Sequence, residues 1–174
     1  MARASIELYD EITNIDFDAW RESGIKLVCL DVDGTLTDFN GKEINPKLIT
    51  HIRHAAKKGM RFALLTNNIF GSRMKRFQTE LGGARVIESV TRQRYFFDRK
   101  PLPALFFRAS KKARLHFSEM AMVGDTYAAD IQPARLLGFG RVAWVKGYKK
   151  SLWGRLFAQP YETRLWRYLS QHQR

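Results

Sequence analysis

An unbroken apolar stretch that ends in two closely spaced aspartates constrains this chain more than any other feature. Residues 27–30 are all apolar, and they lead directly into Asp31, Val32, Asp33 and Gly34. Such a run without alternation is typical of a strand that is buried on both faces, as in the middle of a parallel sheet. Side chains two positions apart on a strand point to the same side. We therefore expect Asp31 and Asp33 to leave the strand end together, with Gly34 allowing a sharp turn.

These two carboxylates repel each other unless a cation lies close to them. A divalent metal ion relieves the repulsion, and Mg²⁺ matches a ligand set made only of oxygen atoms. The alternative is a strand that ends in an ordinary acidic turn, in which Asp33 bonds to nearby backbone. The pattern favours a metal site but does not exclude the acidic turn.

Apolar strands alternate with amphipathic helices along the rest of the chain. Strands are predicted at 25–31, 61–65, 85–87, 120–123 and 141–145, and helices at 47–58, 72–81, 101–117 and 131–137. A short helix capped by Asp16 and stopped by Gly24 precedes the first strand. Alternation with short connections predicts a doubly wound α/β fold, in which helices cover both faces of a parallel sheet. A length of 174 residues suits a single domain.

Polar groups follow three of the predicted strands. The first strand ends at Asp31 and Asp33, the second at Thr66 and Asn67, and the fourth at Gly124 and Asp125. In doubly wound folds, ligands bind beyond the carboxyl ends of the strands. We therefore expect these groups to converge at one edge of the sheet.

Four segments that contain these residues resemble the motifs of the haloacid dehalogenase superfamily of phosphohydrolases. Residues 31–35 resemble the first motif, Thr66-Asn67 the second and Lys100-Pro101 the third, and Gly124-Asp125 followed by Asp130 resembles the fourth. The resemblance implies a Rossmannoid three-layer sandwich of the haloacid dehalogenase type. It also implies a phosphatase that depends on Mg²⁺.

The resemblance assigns a role to each acidic residue. Asp31 is the nucleophile, which forms an aspartyl-phosphate intermediate. Asp33 is the general acid, which later draws a proton from the attacking water. The Mg²⁺ ion takes Asp31, the main-chain carbonyl of Asp33, and Asp125 as ligands. Asp130 acts behind them, through water or by holding Lys100.

The remaining motif residues are assigned to the phosphate. Thr66 and Asn67 face it with a hydroxyl and backbone N–H groups, and Lys100 neutralises negative charge. Each assignment has a plainer alternative: Thr66 and Asn67 are common helix caps, and Asp130 could cap the next helix. Lys100 could also be ordinary surface charge, because it lies in a basic segment with Arg92, Arg94 and Arg99.

The spacing of the motifs bears on the substrate. Thirty residues separate Thr35 from Thr66, and thirty-three separate Thr66 from Lys100. Predicted helices and strands occupy most of both intervals, so no large cap domain is expected. An open site suits large substrates, or small ones that a neighbouring subunit of an oligomer closes off. Thr66-Asn67-Asn68, Lys100-Pro101-Leu102 before an aromatic-rich helix, and the Trp/Arg-rich tail resemble the capless class IIIA branch related to phosphatidylglycerophosphate phosphatase. That branch usually has asparagine in place of Gly34.

The formal net charge of +13 favours anionic partners: phosphate esters, anionic lipid or nucleic acid. Residues 148–174 are predicted to form a basic, aromatic-rich appendage. Its aromatic residues, with Trp144 before them, either contact a membrane surface or pack on the sheet. They are Tyr148, Trp153, Phe157, Tyr161, Trp166 and Tyr168.

The sequence thus favours a phosphatase acting on a lipid phosphate such as phosphatidylglycerophosphate. The alternatives are a phosphatase of a soluble sugar phosphate or of a nucleic-acid terminal phosphate, and a basic interaction protein without catalysis. The four histidines lie away from the predicted strand ends, which gives no support to a histidine-relay or zinc enzyme. The single cysteine and the absence of a signal-like start suggest a cytoplasmic location, with peripheral contact at the inner membrane face.

Overall fold

Six parallel strands form the centre of the molecule. The computed structural model describes residues 4–95, 98–147 and 159–172. In that part of the chain the strands are β1 (Ile6–Tyr9), β2 (Leu27–Leu30), β3 (Arg61–Thr66), β4 (Ile87–Arg92), β5 (Met120–Gly124) and β6 (Arg141–Val145). Their order in the sheet is β1-β6-β5-β2-β3-β4, and each neighbouring pair is parallel.

Helices cover both faces of this sheet. They are α1 (Phe17–Glu22), α2 (Pro46–Lys57), α3 (Gly71–Glu80), α4 (Ala104–Ala113), α5 (Gln132–Leu137) and α6 (Gln159–His172), with a π-helical turn (Tyr127–Ile131) before α5. The apolar residues of α1, α2 and α3 pack on one face, and those of α4, α5 and α6 pack on the other. The predicted three-layer α/β architecture is confirmed.

Local signals set several of these helix ends as predicted. The Asp16 carboxylate accepts hydrogen bonds of 3.0 Å from the backbone N–H groups of Asp18 and Ala19, and so caps α1. Asn45 caps α2 through the N–H of Lys47 at 2.9 Å, and Pro46 occupies the first helical position.

The edges of the sheet differ from the prediction. Strand β1 was not predicted, and the strand predicted at 85–87 corresponds to β4, which spans Ile87–Arg92. Both are edge strands, and in β4 only Ile87 and Thr91 are fully buried. Edge strands keep polar side chains toward solvent, so the continuous apolar run of a central strand is missing.

The predicted helix 101–117 is also too long. It spans Ala104–Ala113, because Arg114 adopts a left-handed conformation with φ of 55° and ends it. A 3-10 turn (Phe117–Glu119) then leads into β5.

Helix α6 packs on the domain. The rings of Trp166 and Trp144 meet edge to face with centroids 5.0 Å apart, and Leu165 and Leu169 contact the same apolar cluster. Tyr161 and Tyr168 are exposed. The predicted tail residues Tyr148, Trp153 and Phe157 lie outside the described residues. None of the helices described is both long enough and apolar enough to cross a membrane.

Candidate active site

Asp31 lies at the carboxyl end of the central strand β2. Its backbone N–H donates to the carbonyl of Val123 at 3.0 Å, which fixes the position where the strand ends. One carboxylate oxygen, Oδ1, accepts from Lys100 Nζ at 2.5 Å, and the other, Oδ2, accepts from Thr35 Oγ1 at 3.1 Å. The side chain is buried, although it lines the cleft described below. Both oxygens of this carboxylate are therefore held in place.

Thr35 joins Asp31 to Asp125. Its hydroxyl oxygen lies 3.1 Å from Asp31 Oδ2 and 3.2 Å from Asp125 Oδ1, and it accepts from the backbone N–H of Asp125 at 3.0 Å. The indole N–H of Trp144 donates to the carbonyl of Asp125 at 2.9 Å. The ends of β2 and β5 thus converge, as the parallel sheet predicted. No role was predicted for Thr35, although it belongs to the first motif.

Lys100 is the cation that the structure places beside Asp31. Its side chain is buried, and the ammonium donates to Asp31 Oδ1 and Asp130 Oδ1, each at 2.5 Å, and to the carbonyl of Leu65 at 3.0 Å. The Asn67 side chain holds the Lys100 backbone, because its Oδ1 accepts from the Lys100 N–H and its Nδ2 donates to the Lys100 carbonyl. The alternative of a mere surface charge is wrong for Lys100.

The three neighbouring arginines differ from Lys100 in position. Arg92 donates to the carbonyl of Ile69, whereas Arg94 and Arg99 are exposed. Arg99 lines the cleft without an ion pair to the acidic cluster among the described contacts.

Asp130 belongs to the π-helical turn that follows β5. Its Oδ1 accepts from Lys100, and its Oδ2 accepts from the backbone N–H of Thr126 at 3.3 Å. The N-cap position of α5 is occupied by Ile131, so the alternative of Asp130 as that cap is wrong. The geometry instead matches the prediction that Asp130 holds Lys100.

The electrostatics of this cluster follow from burial. Burial raises the pKa of Asp31 to about 6, since the attraction of Lys100 only partly offsets it and the charge of Asp130 adds to it. Burial also raises the pKa of Asp130. Burial disfavours the charged form of Lys100, but the carboxylates of Asp130 and Asp31 outweigh it and raise the pKa of the ammonium. One ammonium therefore faces more than one carboxylate.

The donor set fits a divalent metal ion. Carboxylate oxygens of Asp31, Asp125 and Asp130 all lie within 4.8 Å of one another. These are hard oxygen ligands of the kind that Mg²⁺ prefers. The backbone of two glycines closes around Asp125: a Cβ atom at Gly34 would lie 2.6 Å from Asp125 Oδ2, and one at Gly147 would lie 2.5 Å from it. The carboxylate of Asp33 is outside this cluster, and the predicted ligand there is its main-chain carbonyl.

Asp33 is held from several directions. Its carboxylate forms an ion pair with Arg73, with contacts of 2.8 Å to Oδ1 and 3.1 Å to Oδ2. Oδ1 also accepts from the backbone N–H of Asn40 at 3.0 Å, and Oδ2 accepts from Asn68 Nδ2 at 3.3 Å. Since Asn40 is seven residues further along the chain, this arrangement is not the local acidic turn that the sequence left open.

The predicted phosphate-binding residues lie at the end of β3. The Thr66 hydroxyl accepts from the backbone N–H of Asn68 at 3.0 Å, so it stabilises the turn that leads to α3. Thr66 and Asn67 both border the cleft, although the Asn67 side chain is directed to the Lys100 backbone. The predicted role of the two residues toward phosphate stays a prediction.

A single cleft of about 510 Å³ brings most of these residues together. Its walls include Asp31, Asp33, Thr66, Asn67, Lys100 and Asp130. Asp125 instead lines a neighbouring cavity of about 470 Å³, which Trp144 and Trp166 also border. The cleft mouth carries three exposed apolar residues, Phe39, Ile69 and Phe70, called the apolar rim below.

No role was predicted from sequence for Arg73, Asn68 or the apolar rim. Asn68 directly follows the second motif, and its polar side chain at a strand end could have been included on that ground. Arg73 lies on a helix with several other cations, so nothing in the sequence distinguishes it.

A family model and one curated protein match this chain. The model of the haloacid dehalogenase-like hydrolases matches residues 41–138. "Probable phosphatase YqeG" from Bacillus subtilis (strain 168) is 24% identical over 125 residues, which are 72% of this chain and 67% of that protein.

Solved structures share the fold. One is D,D-heptose 1.7-bisphosphate phosphatase from B. bronchiseptica, complexed with magnesium and phosphate; it has a TM-score of 0.57 and 21% identity, covering 71% of this chain and 82% of that one. Another is the cobalt-bound deoxy-D-mannose-octulosonate 8-phosphate phosphatase from Haemophilus influenzae, with a TM-score of 0.52 and 20% identity, covering 72% and 81%.

Proposed function

Because the chain belongs to the haloacid dehalogenase-like hydrolase family, we propose that it is a Mg²⁺-dependent phosphomonoesterase that forms an aspartyl-phosphate on Asp31. One observation carries this proposal: three buried carboxylates and one buried ammonium meet where the central strands end. The phosphatase name of the Bacillus subtilis relative agrees with it.

The metal site follows from the donor set. Asp31, Asp125 and the main-chain carbonyl of Asp33 would hold Mg²⁺, with Asp130 close behind. The ion, when bound, supplies positive charge that offsets the repulsion between a carboxylate nucleophile and an anionic phosphate. Lys100 adds a fixed positive charge next to Asp31, at 2.5 Å from Oδ1.

The reaction then has two steps at phosphorus. A carboxylate oxygen of Asp31 bonds to phosphorus while the ester P–O bond breaks, and Asp33 gives its proton to the leaving oxygen. In the second step Asp33 takes a proton from water, the water oxygen bonds to phosphorus, and the bond between phosphorus and Asp31 breaks. Inorganic phosphate leaves, and both aspartates return to their starting states.

Three neighbouring residues fix the orientation of the Asp31 carboxylate. Thr35 and Lys100 bond to different oxygens of the Asp31 carboxylate, and Asp130 anchors Lys100. A fixed carboxylate loses less entropy in reaching the geometry of attack than a mobile one. Asp130 thus acts on Asp31 through Lys100 and needs no contact with the substrate.

We further propose that the substrate is a lipid phosphate such as phosphatidylglycerophosphate. The exposed fractions of the apolar rim residues are 49% for Phe39, 55% for Ile69 and 63% for Phe70, and all three border the cleft that holds Asp31. An amphipathic substrate could place its phosphate in the cleft and its apolar part against the rim. The positive net charge and the capless spacing of the motifs support the same substrate class and peripheral contact with an anionic membrane.

A soluble sugar phosphate is the second candidate. It is favoured by the names of the two solved structures, which are phosphatases of a heptose bisphosphate and of an octulosonate phosphate. A nucleic-acid terminal phosphate is a weaker alternative that the basic charge and the exposed aromatics of the rim allow.

A phosphatase screen tests the proposal. Purified protein is assayed with and without Mg²⁺ on phosphatidylglycerophosphate in mixed micelles, soluble sugar phosphates and 5′-phosphorylated oligonucleotides, beside Asp31→Asn and Asp33→Asn. We expect Mg²⁺-dependent release of phosphate from the lipid and loss of turnover in Asp31→Asn. Turnover of the soluble esters alone would overturn the lipid assignment. No turnover of any ester would favour a basic interaction protein without catalysis.

A further inference from the structure

We propose that Arg73 is the positioning residue for Asp33, and that it holds the carboxylate where the proton transfer to the leaving oxygen takes place. The inference rests on the proposed function, because it assigns Asp33 the role of general acid. Its starting point is the two-point ion pair, with Arg73 nitrogens at 2.8 Å from Asp33 Oδ1 and 3.1 Å from Oδ2. A guanidinium fork that meets both oxygens of a carboxylate fixes its orientation as well as its position.

Arg73 is itself held by three further groups. Its guanidinium donates to the carbonyl of Gly41 through two nitrogens, at 2.8 and 3.2 Å, and to Thr37 Oγ1 at 3.3 Å. It also stacks over the Phe77 ring, 4.8 Å from the centroid. Because the side chain is mostly buried and fully engaged, it cannot follow Asp33 to another position without breaking several contacts.

Arg73 thereby links helix α3 to the loop after β2. Arg73 belongs to helix α3, and its guanidinium donates hydrogen bonds to Thr37 and Gly41 in the loop after β2. Asp33 lies in the same loop, directly before Gly34, whose φ of 90° is a conformation that glycine adopts without strain. The ion pair adds to the hydrogen bonds from Asn40 and Asn68 that hold the Asp33 carboxylate, and it alone contacts both carboxylate oxygens.

The importance of Asp33 depends on the leaving group. When the ester P–O bond breaks, the electron pair stays on the leaving oxygen, and an alkoxide needs a proton from Asp33 at that moment. A p-nitrophenolate is a far weaker base, so it leaves without one. A misplaced general acid should therefore slow the cleavage of alkyl phosphates and spare p-nitrophenyl phosphate.

The test measures kcat/KM for an alkyl phosphate and for p-nitrophenyl phosphate. The value of kcat/KM reports only on the steps up to the departure of the leaving group. A correctly placed general acid contributes ~10²–10⁴-fold, so we expect Arg73→Ala to lower kcat/KM for an alkyl phosphate on the order of 10- to 100-fold. For p-nitrophenyl phosphate we expect a change below about threefold, because proton transfer contributes little there. Arg73→Lys should restore only part of the loss, because an ammonium cannot pair with both oxygens.

Arg76 provides the matched control on the same helix. Its guanidinium also stacks over the Phe77 ring, at 5.3 Å, but it pairs with Glu80 instead of Asp33. Arg76→Ala should leave both ratios unchanged. If Arg73→Ala fails to fold, Arg73→Lys carries the comparison.

A double variant makes the test specific to Asp33. If Arg73 acts through Asp33, adding Arg73→Ala to Asp33→Asn should cause no further loss on the alkyl phosphate. Equal losses on both substrates, or additive losses in the double variant, would overturn the inference. Selective loss in Asp33→Asn but not in Arg73→Ala would overturn it and leave the phosphatase intact. A wild-type protein without turnover would overturn both.

Discussion

Gly34 leaves no room for a side chain between the first motif and Asp125. Its φ is 90°, and a Cβ atom there would lie 2.6 Å from Asp125 Oδ2. Alanine at this position would have to displace the carboxylate or move the backbone. Gly24 offers a matched comparison, because its φ is 98° and a Cβ atom would meet nothing within 4 Å.

The two alanine variants should therefore differ in function. Gly24→Ala is expected to cost about 1 kcal/mol of stability for its left-handed backbone and to keep its activity. Gly34→Ala should carry the same backbone cost and also lose Mg²⁺-dependent turnover, on the order of tenfold or more, since its metal ligand is displaced. Thermal unfolding with and without Mg²⁺, together with phosphatase assays, measures both effects. A Gly34→Ala protein with wild-type activity and a wild-type response to Mg²⁺ would contradict this account of Asp125.

Lys100 limits how strongly the stability of the fold depends on pH. Replacing it with methionine leaves the buried carboxylates of Asp31 and Asp130 without their cation, at a cost of about 3 kcal/mol where both are ionised. Burial already raises the pKa of both carboxyl groups, and loss of Lys100 raises it further. The folded variant then binds more protons than the unfolded chain, so its stability falls as the pH rises above the unfolded pKa of about 4.

Urea unfolding in EDTA at about pH 5 and about pH 8 measures this effect. We expect the stability gap between wild type and Lys100→Met to be larger at the higher pH. A gap that is the same at both pH values would show that the lysine contributes packing and not charge.

The site residues were predictable from sequence only where they directly follow a strand, because the strand then determines where they lie. The parallel sheet was enough to bring Asp31 and Asp125 together, because the strands that precede them end at the same edge. The ion pair between Arg73 and Asp33 spans 40 residues and depends on how α3 docks against a loop. No spacing rule covers such a contact, and Arg73 was missed for that reason.

At the scale of elements, α6 extends the sheet-covering layer and contributes to the wall next to Asp125. Glu162 accepts from the backbone N–H of Tyr127 at 2.8 Å, and Trp166 packs on Trp144, whose indole bonds the Asp125 carbonyl. Helix α6 is thus connected to Asp125 through two tryptophans.

Substitutions on α6 should separate its packed side from its exposed side. Trp166→Ala is expected to lower the free energy of unfolding by about 2 kcal/mol, since Trp166 is only half-buried. Tyr168→Ala, on the exposed side of the same helix, should change it by less than about 0.5 kcal/mol. Urea denaturation provides both values. Equal effects would mean that α6 does not dock through Trp166.

The elements were predicted well where they are buried on both sides. The central strands β2, β3 and β5 are continuous apolar runs, and their bounds agree with the predictions within about two residues. The edge strands β1 and β4 carry polar residues, most of them half-buried, and depend on a neighbouring strand for their conformation. The sequence of an edge strand does not show which neighbouring strand it will pair with, so its bounds were harder to predict.

At the scale of the molecule, basic charge lies beside the apolar rim. Arg92 donates to the carbonyl of Ile69, and Arg99 borders the same cleft. Apolar side chains flanked by cations are typical of surfaces that bind anionic lipid. We therefore propose that a membrane contact includes the cleft mouth, in addition to the C-terminal segment suggested by sequence.

Vesicle binding tests this surface. We expect the protein to sediment with vesicles that contain phosphatidylglycerol and to be released as salt is raised, because charge attraction is screened. Ile69→Ser with Phe70→Ser should weaken binding, whereas Leu136→Ser, an exposed apolar residue on α5, should not. Binding that the rim substitutions leave unchanged would exclude the cleft as the contact, and preference for single-stranded oligonucleotides would favour nucleic acid.

The most direct test of the whole account is to trap the phosphorylated enzyme during turnover. Borohydride reduces an aspartyl-phosphate to homoserine, and peptide mass spectrometry locates the reduced residue. The account predicts homoserine at position 31 in wild-type protein reacting with substrate and Mg²⁺, and none in Asp31→Asn. Turnover by Asp31→Asn at the wild-type rate, or reduction at another position, would contradict it.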